Sequence, residues 1–126
     1  MVVIDTNIII DHLRQRGRGK SILEKLATDH PKGDLAISVL SIQELYEGQS
    51  MATEMEEEKL LSTIAGLNVL PYTFEIAQIA GTIARNNARL MEFVDAGIAA
   101  TTVARGAVLL TLNKKDFAKI PSLELL

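Results

Sequence analysis

The 126-residue chain contains no cysteine and no tryptophan, and its aromatic side chains are limited to two tyrosines and three phenylalanines. Without cysteine there are no disulfides, zinc–thiolate sites or thiol nucleophiles, and the composition fits a reducing cytoplasm. With so few rings the core must be aliphatic, and an aromatic platform for stacking single-stranded bases is not expected. No stretch approaches the roughly 18 consecutive apolar residues of a membrane-spanning helix. The opening residues also lack the basic region and long apolar core of a secretory signal, so a cytoplasmic protein with no membrane contact is expected. Positive charge is not in excess either: 13 Lys and Arg stand against 16 Asp and Glu, a net charge of −3. That argues against gripping nucleic acid by bulk charge. It does not exclude chemistry on phosphodiesters, because acids gathered in one pocket bind divalent cations that reverse the local sign.

What is present is one globular domain's worth of chain, 48% apolar, with room for a single core. Its organising stretch is the first eleven residues. Met1-Val2-Val3-Ile4 reads as a strand buried on both faces, because a short β-branched run without polar alternation is typical of a parallel sheet. Asp5 falls just beyond that strand's carboxyl end, the rim where open α/β sheets bind ligands. Thr6 and Asn7 are suited to starting a helix at Asn7 or just after it, and Ile8 to Leu13 continues it. Taken alone, Asp5 is equally a turn residue or a helix cap.

The segment that follows holds Arg14, Arg16, Arg18 and Lys20 around Gly17 and Gly19. It reads as a solvated loop or as an arm that contacts phosphates. Both histidines, His12 and His30, lie in polar settings and read as surface residues. A second strand is expected at Leu35–Ile37. Ser38-Val39-Leu40-Ser41 leads into a helix from Ile42 closed by Gly48, in which Ser41 and Glu44 have capping-box spacing. Thr53 and Glu56 form a similar pair, ahead of a helix whose apolar side is Leu60, Leu61 and Ile64. A short extended segment over 67–70 precedes Pro71. Thr73 caps a long helix whose buried stripe runs through Ile76, Ile79, Ala80, Ile83, Ala84, Leu90 and Met91, with Gly81 and the alanines implying close helix packing, either internal or across a dimer interface. Asp95 opens a nearly uncharged helix of small residues over 96–104 that must be buried, and Gly106 ends it. Ala107–Thr111 is an interior strand, Asn113 and Asp116 follow its carboxyl end, and residues 121–126 offer an edge strand. Strands alternating with helices predict an α/β/α sandwich around a short parallel sheet.

Asp5, Glu44, Asp95 and Asp116 thus each fall near the carboxyl end of a strand or at a helix start, and in a parallel sheet those ends share one side. Convergent carboxylates repel unless a cation joins them. With oxygen donors only, Mg²⁺ or Mn²⁺ is the expected ion. Four independent caps would give the same list, leaving an interaction module as the alternative. A phosphatase with Asp5 as covalent nucleophile is a further alternative, but it commonly needs a second acid two residues on, where Asn7 stands.

The whole chain resembles the PIN domains, and in particular the toxin ribonucleases of VapBC-type toxin–antitoxin pairs. The likeness rests on VVIDTNIIID, AISVLSIQELYEG, VDAGIAATTVARGAVLLTLNKKDF and IPSLELL, in that order and spacing. It implies a PIN-like three-layer α/β/α sandwich and a Mg²⁺-dependent endoribonuclease. Asp5, Glu44 and Asp95 take the family's metal-site positions, with Asp116 or Asn113 completing the set. Thr6, Asn7, Ser38, Thr111 and Asn113 fall where supporting polar residues occur in the family. The implied partners are an RNA substrate, a cognate antitoxin and a second copy in a homodimer. Arg14, Arg16, Arg18 and Lys20 become candidate RNA contacts.

Overall fold

A computed structural model describes residues 1–15, 18–31, 33–48, 53–87 and 91–126. Arg16, Gly17 and Leu90 lie outside the described residues. Five strands, β1 (Val2–Ile4), β2 (Leu35–Ser38), β3 (Asn68–Leu70), β4 (Val108–Leu110) and β5 (Glu124–Leu125), form one sheet in the order β3-β2-β1-β4-β5. Every neighbouring pair is parallel. The described helices are α1 (Thr6–Gln15), α2 (Ile22–Asp29), α3 (Val39–Glu47), α4 (Glu54–Ile64), α5 (Phe74–Asn86), α6 (Phe93–Ala104) and α7 (Lys114–Phe117).

The period-2 alternation of the strands divides the core in two. Val2, Ile4, Leu35 and Ile37 point to one face and pack with Ile8, Ile9, Leu23, Leu45 and Leu60. Val3, Ala36 and Leu109 point to the other, against Ile76, Ala80, Ile83, residues of α6 and Phe117. Helices therefore cover both faces, and the central strands are apolar throughout because neither face meets water. The three-layer α/β/α sandwich expected from the sequence is what the chain forms.

Local chemistry sets the element ends, with some differences from the sequence reading. Helix α1 starts at Thr6, directly after Asp5. Helix α3 starts at Val39: Ser38 is its cap, its hydroxyl accepting from Leu40 N at 3.1 Å, so Ser41 lies inside the first turn and not at the cap. Thr53 and Thr73 do cap their helices, accepting from Glu56 N and Ile76 N. Leu61 is exposed, whereas the neighbouring Leu60 turns into the core with Leu45 and Ile37. A Cβ built on Gly81 would meet nothing within 4 Å, so of the two placements expected for close packing at Gly81 the internal one does not occur there. Helix α5 ends at Asn86, which separates Met91 from its stripe. Gly106, at φ 61°, supplies the left-handed turn that lets α6 fold back into β4.

Candidate active site

The chain leaves β1 toward β2 and β3 on one side, and then crosses back to β4 and β5 on the other. Between β1 and β4 the connections depart in opposite directions, so no crossover roofs their carboxyl ends. That crevice is where doubly wound sheets place ligands. Asp5 closes β1 there, and Thr111 closes β4.

Asp5 is almost completely buried and held from both sides. Its Oδ1 accepts from Thr6 N at 2.8 Å and its Oδ2 from the Thr111 hydroxyl at 2.7 Å, while its own N–H donates to Leu110 O at 2.9 Å. The Thr111 hydroxyl also accepts from Asn113 N at 2.9 Å and Asn7 Nδ2 at 3.4 Å, and Asn7 Oδ1 accepts from Leu112 N at 3.2 Å. A hydroxyl with one donor hydrogen and two lone pairs is thereby fully used. Burial pushes the Asp5 carboxyl above its ordinary range, against the two hydrogen bonds, and the charge of Glu44 pushes the same way. Asp5 is thus a braced carboxylate whose remaining lone pairs have no fixed partner among the described residues. Asn7, tied to β4, is not available as the second acid of a covalent phosphatase.

Asp95 is not the cap of α6. Glu92 takes the cap position, and Asp95 lies in the first turn, partly buried. Its pKa is pushed up to about 6, first by desolvation and then by the charges of Asp5, Glu44, Glu92 and Asp116. The charges of the other three predicted acids are therefore felt at Asp95. Glu92, exposed at the mouth, is a contributor that the sequence reading passed over; its place immediately before the apolar helix was the available signal. The charge of Glu44 reaches Asp95 because α3 and α6 approach closely at Gly97, where a Cβ would run into the Leu40 side chain and come within 3.2 Å of Tyr72 Cε1. On the other side α3 is tied to α1 by a buried hydrogen bond from the Thr6 hydroxyl to Ser41 Oγ at 2.9 Å. Ser38 is wholly buried as the α3 cap. Asp116 sits on α7, and its Oδ2 accepts from Asn113 Nδ2 at 2.7 Å, so the two candidates for the fourth position act as a pair.

The oxygen-only donor set suits a hard cation. Asp5, Asp95 and Glu44, with Asp116, are the residues that would hold it. Among the described residues no three His, Asp or Glu side chains already stand together as an ion's ligands. The fit rests instead on the mutual repulsion at Asp95 and on freedom to rotate. Neither Asp95 nor Glu44 is hydrogen-bonded among the described residues, whereas Asp5 is braced.

The remaining predicted residues lie around this rim. Arg14 and Arg18 are exposed and, with Asn7, Ile10, Asp11, Gln15 and Leu112, line a groove that runs from the crevice along α1. Lys20 is exposed outside that lining. His12 and His30 are partly buried and engaged: His12 Nδ1 lies 2.7 Å from Ser21 Oγ, and His30 Nδ1 lies 3.0 Å from Asp34 Oδ2. They serve α2 and its exit turn and stand apart from the acids. No described helix is long and apolar enough to cross a membrane.

Residues 2–123 match the PIN domain family. The chain is 34% identical to Ribonuclease VapC10 of Mycobacterium tuberculosis over 127 aligned residues, spanning 98% of this chain and 91% of that protein. Among solved structures it is similar to VapBC2 from Rickettsia felis bound to a promoter DNA fragment, with TM-score 0.85 and 25% identity over 100% of this chain and 98% of that one. DNA-bound VapBC from Salmonella typhimurium gives TM-score 0.84 and 27% identity over 99% and 96% of the two chains.

Proposed function

The chain belongs to the PIN-domain family, and from that premise we propose that it is a metal-dependent endoribonuclease, the toxin component of a toxin–antitoxin pair in the cytoplasm. The observation that supports this reading best is Asp95, whose carboxyl is raised by burial and by the charges of Asp5, Glu44 and Asp116 together, with Asp5 at the carboxyl end of β1 beside β4. Its ribonuclease relatives support RNA as substrate. The VapBC complexes among its structural neighbours support an antitoxin as partner. An apolar face around Gly81, lined by Tyr72, Ala77, Ala84 and the exposed Phe93, supports a homodimer.

The mechanism asks three things of these side chains. Asp5, held rigid by Thr6 and Thr111, would supply a fixed carboxylate oxygen for the cation, which would offset the charge of the RNA phosphate. Asp95 and Glu44, free to rotate, close on the same centre. Glu44 orients the attacking water, and Asp116, paired with Asn113, completes the set from α7. When bound here, Mg²⁺ or Mn²⁺ supplies a lowered water pKa and charge relief on the phosphate.

The direct test is cleavage of RNA with and without Mg²⁺ by the parent chain and by Asp5→Asn and Asp95→Asn, with a phosphomonoester as control. Cleavage of RNA alone, lost in both variants, is expected. A variant that cleaves at the parent rate overturns the assignment. In cells, expression of the parent but not of Asp5→Asn should arrest growth.

A further inference from the structure

Resting on the ribonuclease reading, we infer that the groove between α1 and the turn after β4 is a subsite for the nucleotide next to the scissile phosphate of a single-stranded RNA. Its lining combines three chemistries that a nucleotide requires together. Ile10 and Leu112 give an aliphatic surface, and Leu112 is 56% exposed although it stands between the buried Thr111 and the α7 turn. Burial of a base face against such a surface removes both from water. Arg14 and Arg18 stand on the same groove, and neither forms an ion pair among the described residues. Guanidinium groups match phosphate oxygens in pairs. Asp11, the acid in the groove, is already engaged, accepting from Ile22 N at 3.3 Å and Gln15 Nε2 at 3.4 Å.

Asn7 joins this groove to the acids. It lines the groove, and its amide bonds Thr111, the residue that holds Asp5. A strand whose phosphate lies at Asp5 therefore passes its neighbouring nucleotide across Asn7 onto Leu112 and Ile10, with the next phosphate between the arginines. The aliphatic floor offers no ring for stacking and no unique set of donors, so this subsite senses the presence of a base more than its identity.

The test uses the intact chain in EDTA, so that binding is read without cleavage, and a fluorescein-labelled single-stranded RNA over a salt series. Arg14→Ala/Arg18→Ala is expected to weaken binding. It should also flatten the plot of log affinity against log salt by about 0.7, the value for one neutralised phosphate on a single strand. Leu112→Ala should weaken binding of that RNA and leave binding of an oligonucleotide abasic at the flanking position unchanged relative to the parent. In Mg²⁺ the arginine variant should raise KM with kcat unaltered. Both arginines are exposed, and a circular dichroism melt checks that the fold is kept. Equal affinity and salt slope in parent and double variant overturns the subsite, as does failure of the parent to bind RNA or displacement of the RNA only by an acidic peptide. The two readings fail separately. Salt-dependent binding through these arginines without Mg²⁺-dependent cleavage refutes the ribonuclease, whereas cleavage with unchanged KM in the double variant refutes the groove.

Discussion

At the scale of single residues, the chemistry turns on how differently Asp5 and Asp95 are held. Asp5 is fixed by Thr111 and Thr6, and Asp95 is left among like charges with a pKa near 6. A carboxyl raised from 3.8 by its folded surroundings favours the protonated form. Its contribution to stability is therefore fully present below the unfolded value and lost as pH rises through about 6. Metal-free Asp95→Asn is thus expected to melt above the parent at pH 7.5, with the difference vanishing near pH 3.5; thermal melts at both values in EDTA check this. The same variant should lose Mg²⁺-dependent cleavage by more than about 100-fold, above the range for outer supports of a metal site. Thr111 is such a support. Thr111→Val should cost about 10- to 100-fold in cleavage or metal affinity, and Thr111→Ser should recover most of it, because only the hydroxyl is needed to hold Asp5. An equal loss in both variants would refute that role.

At the scale of elements, placing Glu44 beside Asp95 is the work of α3 and α6, and Gly97 is where they meet. A larger side chain there meets Leu40, whose terminal methyl can swing away, and Tyr72, whose ring packs against the core and has less room to move. Gly97→Val should destabilise the fold by about 1–3 kcal/mol, the usual range for overpacking, and lower cleavage beyond the loss of folded protein. Denaturant titration beside activity per folded molecule separates the two effects. The element readings that held were those written in strong local signals: the apolar runs of β1, β2 and β4, the Thr53 and Thr73 caps, and Gly106. Those that shifted involved rival local signals. Both Ser38 and Ser41 could cap α3, and only burial against Thr6 assigns Ser41 to the helix interior. Leu61 and Gly81 fit an amphipathic pattern, yet nothing in the described fold covers them.

At the scale of the whole molecule, burial and like charge at Asp5 and Asp95 oppose folding, and a cation bound there, as proposed, relieves that cost. Metal binding and stability are therefore linked. Mn²⁺ or Mg²⁺ should raise the melting temperature of the parent, with about 2.7 kcal/mol gained at a free metal concentration 100 times Kd. Asp5→Asn and Asp95→Asn should show little of that gain. Differential scanning calorimetry across a metal series checks it, and a parent indifferent to metal would count against the shared centre.

The order of strands and helices, the aliphatic core and the four acids are written in the sequence, because apolar period, caps and strand-end position act over a few residues. The family likeness followed from the same segments. Tertiary structure alone decided that Thr111 holds Asp5, that Gly97 lets α6 reach α3, and that Asn7 links the crevice to a groove bearing Arg14 and Arg18. Each of these joins residues distant in sequence through the strand order β3-β2-β1-β4-β5. Strand order is set by which crossovers bury the most apolar surface across the whole chain, a quantity that no local stretch records.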